Sequence, residues 1–373
     1  MKIKLLVCGF ILFSATTLVS AQDSVVRIGI AGPLSGSIAH LGKDMDEGAL
    51  LAIEELNSTG FAIGGHNVRF EGVSEDDAAD PKVAVQVANK LADSHVAGVV
   101  GHLNSGTSIV AARIYNDAGI PQIAPGASNP KLTQLGYRFV FRLMANDLQQ
   151  GSGIAGFSAK TLKAKTAVVI DDRTAYGQGL ADEIIQDMEK GGIKVLKREF
   201  TTDKATDFTA ILTTVRGLHP DVIAYAGTDA QAGPMNKQMK QLAIPSTFIG
   251  GDGLCTGTWT ELSAGSNEGY YCSQTGSSLD KVKGYAEFQQ RFKARYGVDP
   301  IFLAPQAYDA VMVLAAAMKA ADSTDPHVFA PFIQKTELSG AGGAVRFDSH
   351  GDNPKAAVTV YQVRSGKLAV AAQ

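Results

Sequence analysis

Val96-Ala-Gly-Val-Val-Gly-His-Leu-Asn-Ser-Gly-Thr-Ser108 is the stretch on which the fold turns. Its apolar, β-branched opening, Val96 to Val100, reads as a buried strand ending at Gly101. Ile109, Ala112, Arg113 and Asn116 then follow the 3.6-residue period of a helix. Ser105, Thr107 and Ser108 therefore stand where a strand hands over to a helix N-terminus. Unpaired N–H groups, a partial positive charge and hydroxyls together suit an anion. Phosphate cradle, nucleophile elbow and carboxylate grip all remain open at this point.

Outward from that stretch the chain repeats strand and helix. Before it come a strand over Val25 to Ala31, a turn at Pro33-Leu-Ser-Gly36 and a helix from about Gly42 to Asn57, stopped by Gly60. A strand at Val68 to Val73 leads into an acidic loop. Asp80-Pro81 then caps a helix running to about Ala92. After the opening stretch, a strand at Gln122 to Ala124 ends in the small-residue loop Pro125-Gly-Ala-Ser-Asn-Pro130, and Phe139 to Met144 reads as another strand. The alternation restarts with strands at Lys165 to Ile170, Val195 to Phe200, Asp221 to Ala226, Thr247 to Gly250 and Gly269 to Ser273. Helices are predicted between them: one up to Lys190, one over Asp207 to Gly217 and one over Ala230 to Ala243. Two long helices, Asp280 to Tyr296 and Leu303 to Ala321, precede a shorter one at His327 to Lys335. Strands at Val345 to Asp348 and Ala356 to Val363 and a hairpin turning at Ser365-Gly366 finish the chain.

Strands alternating with helices predict an α/β fold with parallel sheets covered on both faces. Two such series predict two doubly wound lobes. Extended segments near Leu143–Asn146, Ser273–Gly276 and Gly340–Gly343 are the expected crossings, which together make a multi-strand hinge around a cleft.

The N-terminus reads as a secretory signal over residues 1–21. Lys2 and Lys4 precede an apolar run that closes on Val19-Ser-Ala21, with cleavage expected before Gln22. The run is too short for a membrane span, and Cys8 lies at its start, which argues against a lipoprotein. Of 34 basic residues two fall in the signal, leaving 32 against 37 acidic, a net charge near −5. That balance argues against nucleic acid or anionic membrane as the main partner. Cys255 and Cys272 remain after cleavage; an even pair in an oxidising compartment suggests one disulfide, the other possibility being two buried thiols.

In such folds ligands bind beyond the carboxyl ends of the strands. Gly32-Pro-Leu-Ser-Gly36 lacks the dinucleotide spacing, and no phosphate-binding loop ending in Gly-Lys-Ser/Thr occurs. Leu103-Asn-Ser-Gly-Thr107 does not match the serine-hydrolase elbow. The seven histidines show no metal-ligand spacing, so neither a metal nor a cofactor is expected. What remains at the strand ends is Ser105 and Thr107, Gly126 and Ser128, Thr228, Tyr176 in a loop before a helix, and Asp252 in Ile249-Gly-Gly-Asp-Gly253. Plain capping, interface packing and turn formation are the competing roles for these residues. Jointly they offer donors for an anion and an acid for a cation, the two ends of a free amino acid.

Ile28-Gly-Ile-Ala-Gly-Pro-Leu-Ser-Gly36, Asp76-Asp-Ala-Ala-Asp-Pro-Lys82, Val85-Gln-Val-Ala-Asn-Lys90 and Val100-Gly-His-Leu-Asn-Ser105 resemble the leucine/isoleucine/valine family of periplasmic binding proteins. Ile123-Ala-Pro-Gly-Ala-Ser128, Tyr176-Gly-Gln-Gly-Leu-Ala181 and Asp207-Phe208 extend the resemblance almost end to end. It implies the type I periplasmic binding fold, with residues 22–144 and 276–342 in one lobe and 145–275 and 343–373 in the other. It also implies a monomeric, non-enzymatic periplasmic receptor that delivers an amino acid to an inner-membrane ABC permease.

By motif, Ser105 resembles the family serine that grips the ligand carboxylate. Ser128 matches a position usually held by threonine, contacting both ligand ends. Gly126 matches a small residue whose carbonyl accepts from the ammonium, and Tyr176 a cleft tyrosine of the second lobe. Asp252 falls where the family places an acid, usually glutamate, against the ammonium. Thr228 and Leu41 stand where tyrosines are common, which opens the ligand's identity to amides, urea or aromatic acids. Ala79 and Asn104 replace a cysteine pair of some members, leaving Cys255 and Cys272 to tie the second lobe. A periplasmic sensor acting through a separate receptor is a further reading of the same cleft.

Overall fold

The computed structural model describes residues 24–371; the segment read as a signal lies outside them. The first sheet is built from β1 (Ser24–Gly32), β2 (Phe61–Ile63), β3 (His66–Asp76), β4 (Gly98–Gly101), β5 (Gln122–Ala124) and β6 (Val140–Arg142), in the order β2-β3-β1-β4-β5-β6. Its helices are α1 (Ala39–Thr59), α2 (Pro81–Asp93), α3 (Ser105–Asp117) and the short α4 (Lys131–Gln134). The chain then crosses through α5 (Asp147–Lys160) into the second sheet. There β7 (Thr166–Asp171), α6 (Ala175–Lys190), β8 (Lys194–Phe200), α7 (Thr209–Leu218) and β9 (Val222–Ala226) follow one another. After them come α8 (Asp229–Gln241), β10 (Thr247–Gly250), α9 (Gly257–Ser263) and β11 (Tyr271–Thr275). It returns to the first lobe for α10 (Tyr285–Tyr296), α11 (Leu303–Ala321), α12 (Pro326–Ile333) and a small ladder of β12 (Leu338–Ser339) with β13 (Ala344–Val345). A last crossing ends in β14 (Val358–Arg364) and β15 (Lys367–Val370), and the second sheet runs β15-β14-β11-β10-β9-β7-β8.

Neither sheet is purely parallel. The β2–β3 hairpin edges the first, and β14 and β15 run antiparallel at the edge of the second. The sequence pattern missed α5, whose glycines at 151, 153 and 156 dilute the helical period. What starts it is a capping box in which Asn146 accepts from Gln149 N–H and the Gln149 side chain accepts from Asn146 N–H. The helix expected from Asp280 begins only at Tyr285, because Gly284 takes φ +89° and breaks the run. The strand expected over 345–348 stops at Val345. Asp348 instead accepts from the N–H groups of His350 and Asp352, curling the chain.

Apolar packing covers both faces of each sheet, as parallel strands require. On one face of the first sheet, α1 and α11 bury Met45, Ala49, Leu314 and Met318 against Ile28, Ile30 and Val100. Gly48 makes their close approach possible, since a Cβ there would collide with the Ala304 carbonyl. On the other face α2 and α3 bury Leu91 and Tyr115 against Val99. In the second lobe α5 and α6 cover one face, while α7, α8 and Trp259 cover the other. Cys255 and Cys272 are joined by a disulfide with Cα atoms 5.3 Å apart, tying the loop after β10 to β11 inside that second core.

The N-terminus of α11 has no cap from its own chain neighbourhood. Asp44 of α1 supplies one, accepting from the N–H groups of Ile301, Leu303 and Ala304 at 2.8, 2.9 and 2.8 Å. Burial pushes its carboxyl up to about 6 in spite of those three donors.

Strand order reverses beside β1 in the first sheet and beside β7 in the second. Crevices open at such switch points. The loops after β1, β4 and β5 of one lobe face the loops after β7, β9 and β10 of the other.

Candidate functional site

A narrow cavity of about 30 Å³ lies between those loops, lined by Leu41, Asn104, Ser105 and Gly126 from the first lobe and by Tyr176, Thr228, Asp252 and Gly253 from the second. Ile38, Leu103, Phe302 and Leu303 add an apolar wall. A larger cleft of about 590 Å³ shares Asn104, Ser105, Tyr176 and Thr228 with it and widens toward Asp172, Arg173 and Lys204. The structure thus brings together five of the six expected site residues: Ser105, Gly126, Tyr176, Thr228 and Asp252. Ser128 is fully buried behind them and does not line the cavity.

Ser105 is the first residue of α3, so its N–H and those of the next residues have no partner within the helix. Its hydroxyl accepts from Asn129 N–H at 3.2 Å, which joins the loop after β4 to the loop after β5. Buried polar side chains hold both loops from behind. His102 contacts Asp77 Oδ2 through Nδ1 at 2.7 Å and Tyr115 Oη through Nε2 at 3.1 Å, and Ser108 donates to the His102 carbonyl. Arg142, also fully buried, donates to the carbonyls of Ala127 and Asn129 at 3.1 and 2.7 Å, one on each side of Ser128. The same guanidinium pairs with Asp352 at 2.6 Å, on the segment that makes the last crossing.

Across the cavity, Asp252 follows β10. Its Oδ1 accepts from the Tyr176 hydroxyl at 2.7 Å and from Gly253 N–H at 3.0 Å, and its own N–H donates to Gln150 Oε1 at 3.0 Å. No Lys, Arg or His among the described residues forms an ion pair with it. Burial raises its carboxyl above the usual range, with the Tyr176 hydroxyl opposing. Burial and the neighbouring Asp252 charge hold the Tyr176 phenol well above its ordinary value, so it stays a donor. Tyr176 was expected in a loop. It is instead the second residue of α6, because Thr174 caps the helix early by accepting from Gly177 N–H. Gly251 is small for a reason: a Cβ there would meet the Tyr176 hydroxyl.

Behind Asp252 lies a second buried acid, Asp147, at the start of α5. Burial pushes it up to about 7; the Ser128 hydroxyl beside it pulls down and the Asp252 charge pushes further up. Neither Asp147 oxygen nor the Ser128 hydroxyl has a well-aligned hydrogen-bond partner. The Thr228 hydroxyl is turned to Gln231 Oε1 at 3.0 Å within its own lobe.

The apolar wall escaped the sequence reading except at Leu41. Ile38, Leu103, Phe302 and Leu303 belong to runs whose pattern is that of any core face. Phe302 and Leu303 reach the cavity only because the chain returns to the first lobe. Asp147 and Gln150 sit on the helix the pattern missed.

Comparison with known proteins agrees with the two-lobed fold. A family model described as "Periplasmic binding protein" matches residues 25–367. The leucine-, isoleucine-, valine-, threonine- and alanine-binding protein of Pseudomonas aeruginosa is 33% identical over 345 residues, 92% of this chain and 91% of that protein. A leucine-binding protein from Thermotoga maritima superimposes with a TM-score of 0.87 at 30% identity, covering 93% of this chain and 98% of that one. A branched-chain amino acid transporter substrate-binding protein from Streptococcus pneumoniae, solved with isoleucine, gives a TM-score of 0.83 at 28% identity over 92% and 98% of the two chains.

Proposed function

Because the chain belongs to the periplasmic binding protein family, we propose that it captures an aliphatic, branched-chain amino acid in the inter-lobe cleft and hands it unchanged to the permease of an ABC importer. The observation that carries this reading is Asp252, a buried carboxylate without a cationic partner, facing the N-terminus of α3 beside an apolar wall. An α-amino acid supplies what each part lacks. Its ammonium pairs with Asp252, its carboxylate takes the free N–H groups and hydroxyl at Ser105, and an aliphatic side chain covers Leu41, Leu103, Phe302 and Leu303. Gly126 offers its carbonyl to the ammonium. Tyr176 and Thr228 close the second-lobe side, while Ser128, buried and outside the cavity lining, makes no contact with the ligand in this reading. Urea, amides and aromatic acids carry no ammonium and would leave Asp252 buried and unpaired.

A cavity of about 30 Å³ has room for one or two waters, not for leucine, so the lobes part to admit a ligand. The reading places the protein in the periplasm as a monomer after removal of residues 1–21. The proposed lobes are residues 22–144 with 276–342 and residues 145–275 with 343–373. Val345 and Phe347 pack in the first-lobe core, which argues for moving the last boundary to between Phe347 and Val358.

Calorimetry on ligand-stripped protein tests the reading. Leucine, isoleucine and valine are expected to bind, and benzoate, urea and acetamide to give no heat. Binding of benzoate with none of the amino acids would overturn it.

A further inference from the structure

One histidine–carboxylate contact among the described residues spans the cleft. His40 Nε2 of α1 lies 2.8 Å from Asp229 Oδ2 of α8, across 189 residues of sequence. Asp229 opens α8 directly after Thr228, and Leu41 follows His40, so the pair stands at the rim of the inner cavity without lining it. The Asp229 side chain is fully buried, while that of His40 is 26% exposed. Within its own lobe Asp229 has the Thr256 hydroxyl, which donates to the same Oδ2 at 2.6 Å; Oδ1 has no hydrogen-bond partner. The neighbouring Ala230 packs against the first-lobe core, so this helix start touches both lobes.

We propose that His40 and Asp229 form a latch that holds the two lobes closed and sets how long a captured ligand stays bound. A buried carboxylate with few donors is costly. His40 Nε2 meets it at hydrogen-bond distance, and it comes from the opposite lobe. When the lobes part, Asp229 returns to water beside its helix N-terminus, where it is well solvated, and His40 loses its partner. The contact therefore exists in one of the two states only, which is the condition for shifting their balance. Its counterpart at the other side of the cavity is Asn129 of the first lobe, which donates to the Ala175 carbonyl of the second at 2.7 Å. That bond joins two neutral groups, whereas the acceptor at Asp229 is a carboxylate, so the larger share of the closing preference falls on His40 and Asp229. Both are positioning residues, acting through the closed form and not on the ligand.

This inference rests on the reading that the lobes close over an amino acid, and its test separates the two. Small-angle scattering of ligand-free protein compares the wild type with His40→Ala and Asp229→Asn. Stopped-flow dissociation then follows leucine as the probe. The variants are expected to be more extended than the wild type and to release leucine about tenfold faster or more, with association within about twofold. His40→Lys, which supplies a donor to Asp229, recovers slow release, as a purely structural side chain would not. Unchanged scattering and unchanged release in His40→Ala overturn the latch. If the wild type binds no amino acid, the functional reading fails while scattering still decides the latch. His40 is partly exposed, so its variants remain informative even where Asp229→Asn does not fold.

Discussion

Asp252 sets a buried carboxyl of one lobe across the cavity from the helix start of the other, and its substitution has the sharpest expected effect. Asp252→Asn keeps a side chain of the same size within reach of Tyr176 but removes the charge on which the proposed ammonium contact depends. Breaking a buried pair by removing one partner costs roughly 3–5 kcal/mol, so amino-acid affinity should fall by about a hundredfold or more. Calorimetry giving the wild-type affinity would remove Asp252 from the site. Ser105→Ala leaves the N–H groups of α3 in place and takes away one hydroxyl. A charge-assisted hydrogen bond contributes about 1.5–3 kcal/mol, so a loss of about tenfold or more is expected in the same titration. At this scale the sequence was informative wherever a polar or small residue interrupted the end of a strand, as at Ser105, Gly126, Thr228 and Asp252. It was silent about Phe302, Leu303 and Ile38, because an apolar residue in a cavity wall has the same local pattern as one in a core. It was silent about His40 and Asp229 as well, since nothing local joins two residues 189 positions apart.

Elements depend on partners far along the chain. The α11 helix carries Leu303 of the apolar wall, and its first turn is capped by Asp44 from α1. Asp44→Ala leaves two buried N–H groups and one part-buried one without an acceptor, each buried group worth about 1–3 kcal/mol, and should lower both stability and ligand affinity by displacing Phe302 and Leu303. A chemical-denaturation curve and a leucine titration, run in parallel, would separate the two losses. Farther along α11, Asp309 accepts from the N–H groups of Ala341 and Gly342, both at 2.8 Å, and burial pushes its carboxyl up to about 7. Because this value lies above the ordinary 3.8, the folded protein binds the proton more tightly than the unfolded chain. Its contribution to stability is therefore fully present below about pH 4 and is lost as pH rises toward 7. In Asp309→Asn the fall in stability between pH 5 and 8 should be shallower than in the wild type; equal slopes would show that Asp309 is not a source of that fall. The disulfide closes a loop with a sequence separation of 17, for which chain entropy gives about 3 kcal/mol. The serine double variant at Cys255 and Cys272 should lose roughly that much by denaturation. Element types were legible because period and capping agree along most of the chain. Of the failures, those at α5 and before Tyr285 fall where glycine dilutes or breaks the period, and the one after Val345 falls where Asp348 curls the chain.

As a whole molecule, the protein is two α/β lobes with the candidate site assembled from both. A ligand at a hundredfold its dissociation constant stabilises the folded form by about 2.7 kcal/mol. Since Ser105 and Asp252 belong to different lobes, leucine should shift the unfolding of both. Scanning calorimetry in which only one of two resolved transitions moves would show that a single lobe holds the ligand. The alternation of strands and helices made two lobes legible, while the exact places where the chain changes lobes depend on packing, as at Val345 and Phe347. That threading carries one more consequence, which concerns the order in which the chain is made. The first sheet has all its strands once Arg142 has been synthesised, yet α11, which with α1 covers one face of it, begins only at Leu303. Between them lie about 160 residues, roughly 10–30 s of translation at about 5–20 residues per second. Throughout that interval Ile28, Ile30 and Val100 have no α11 to bury them. The cover of that face is complete only when about the last fifth of the chain arrives, so a chain still being made carries part of its first core exposed.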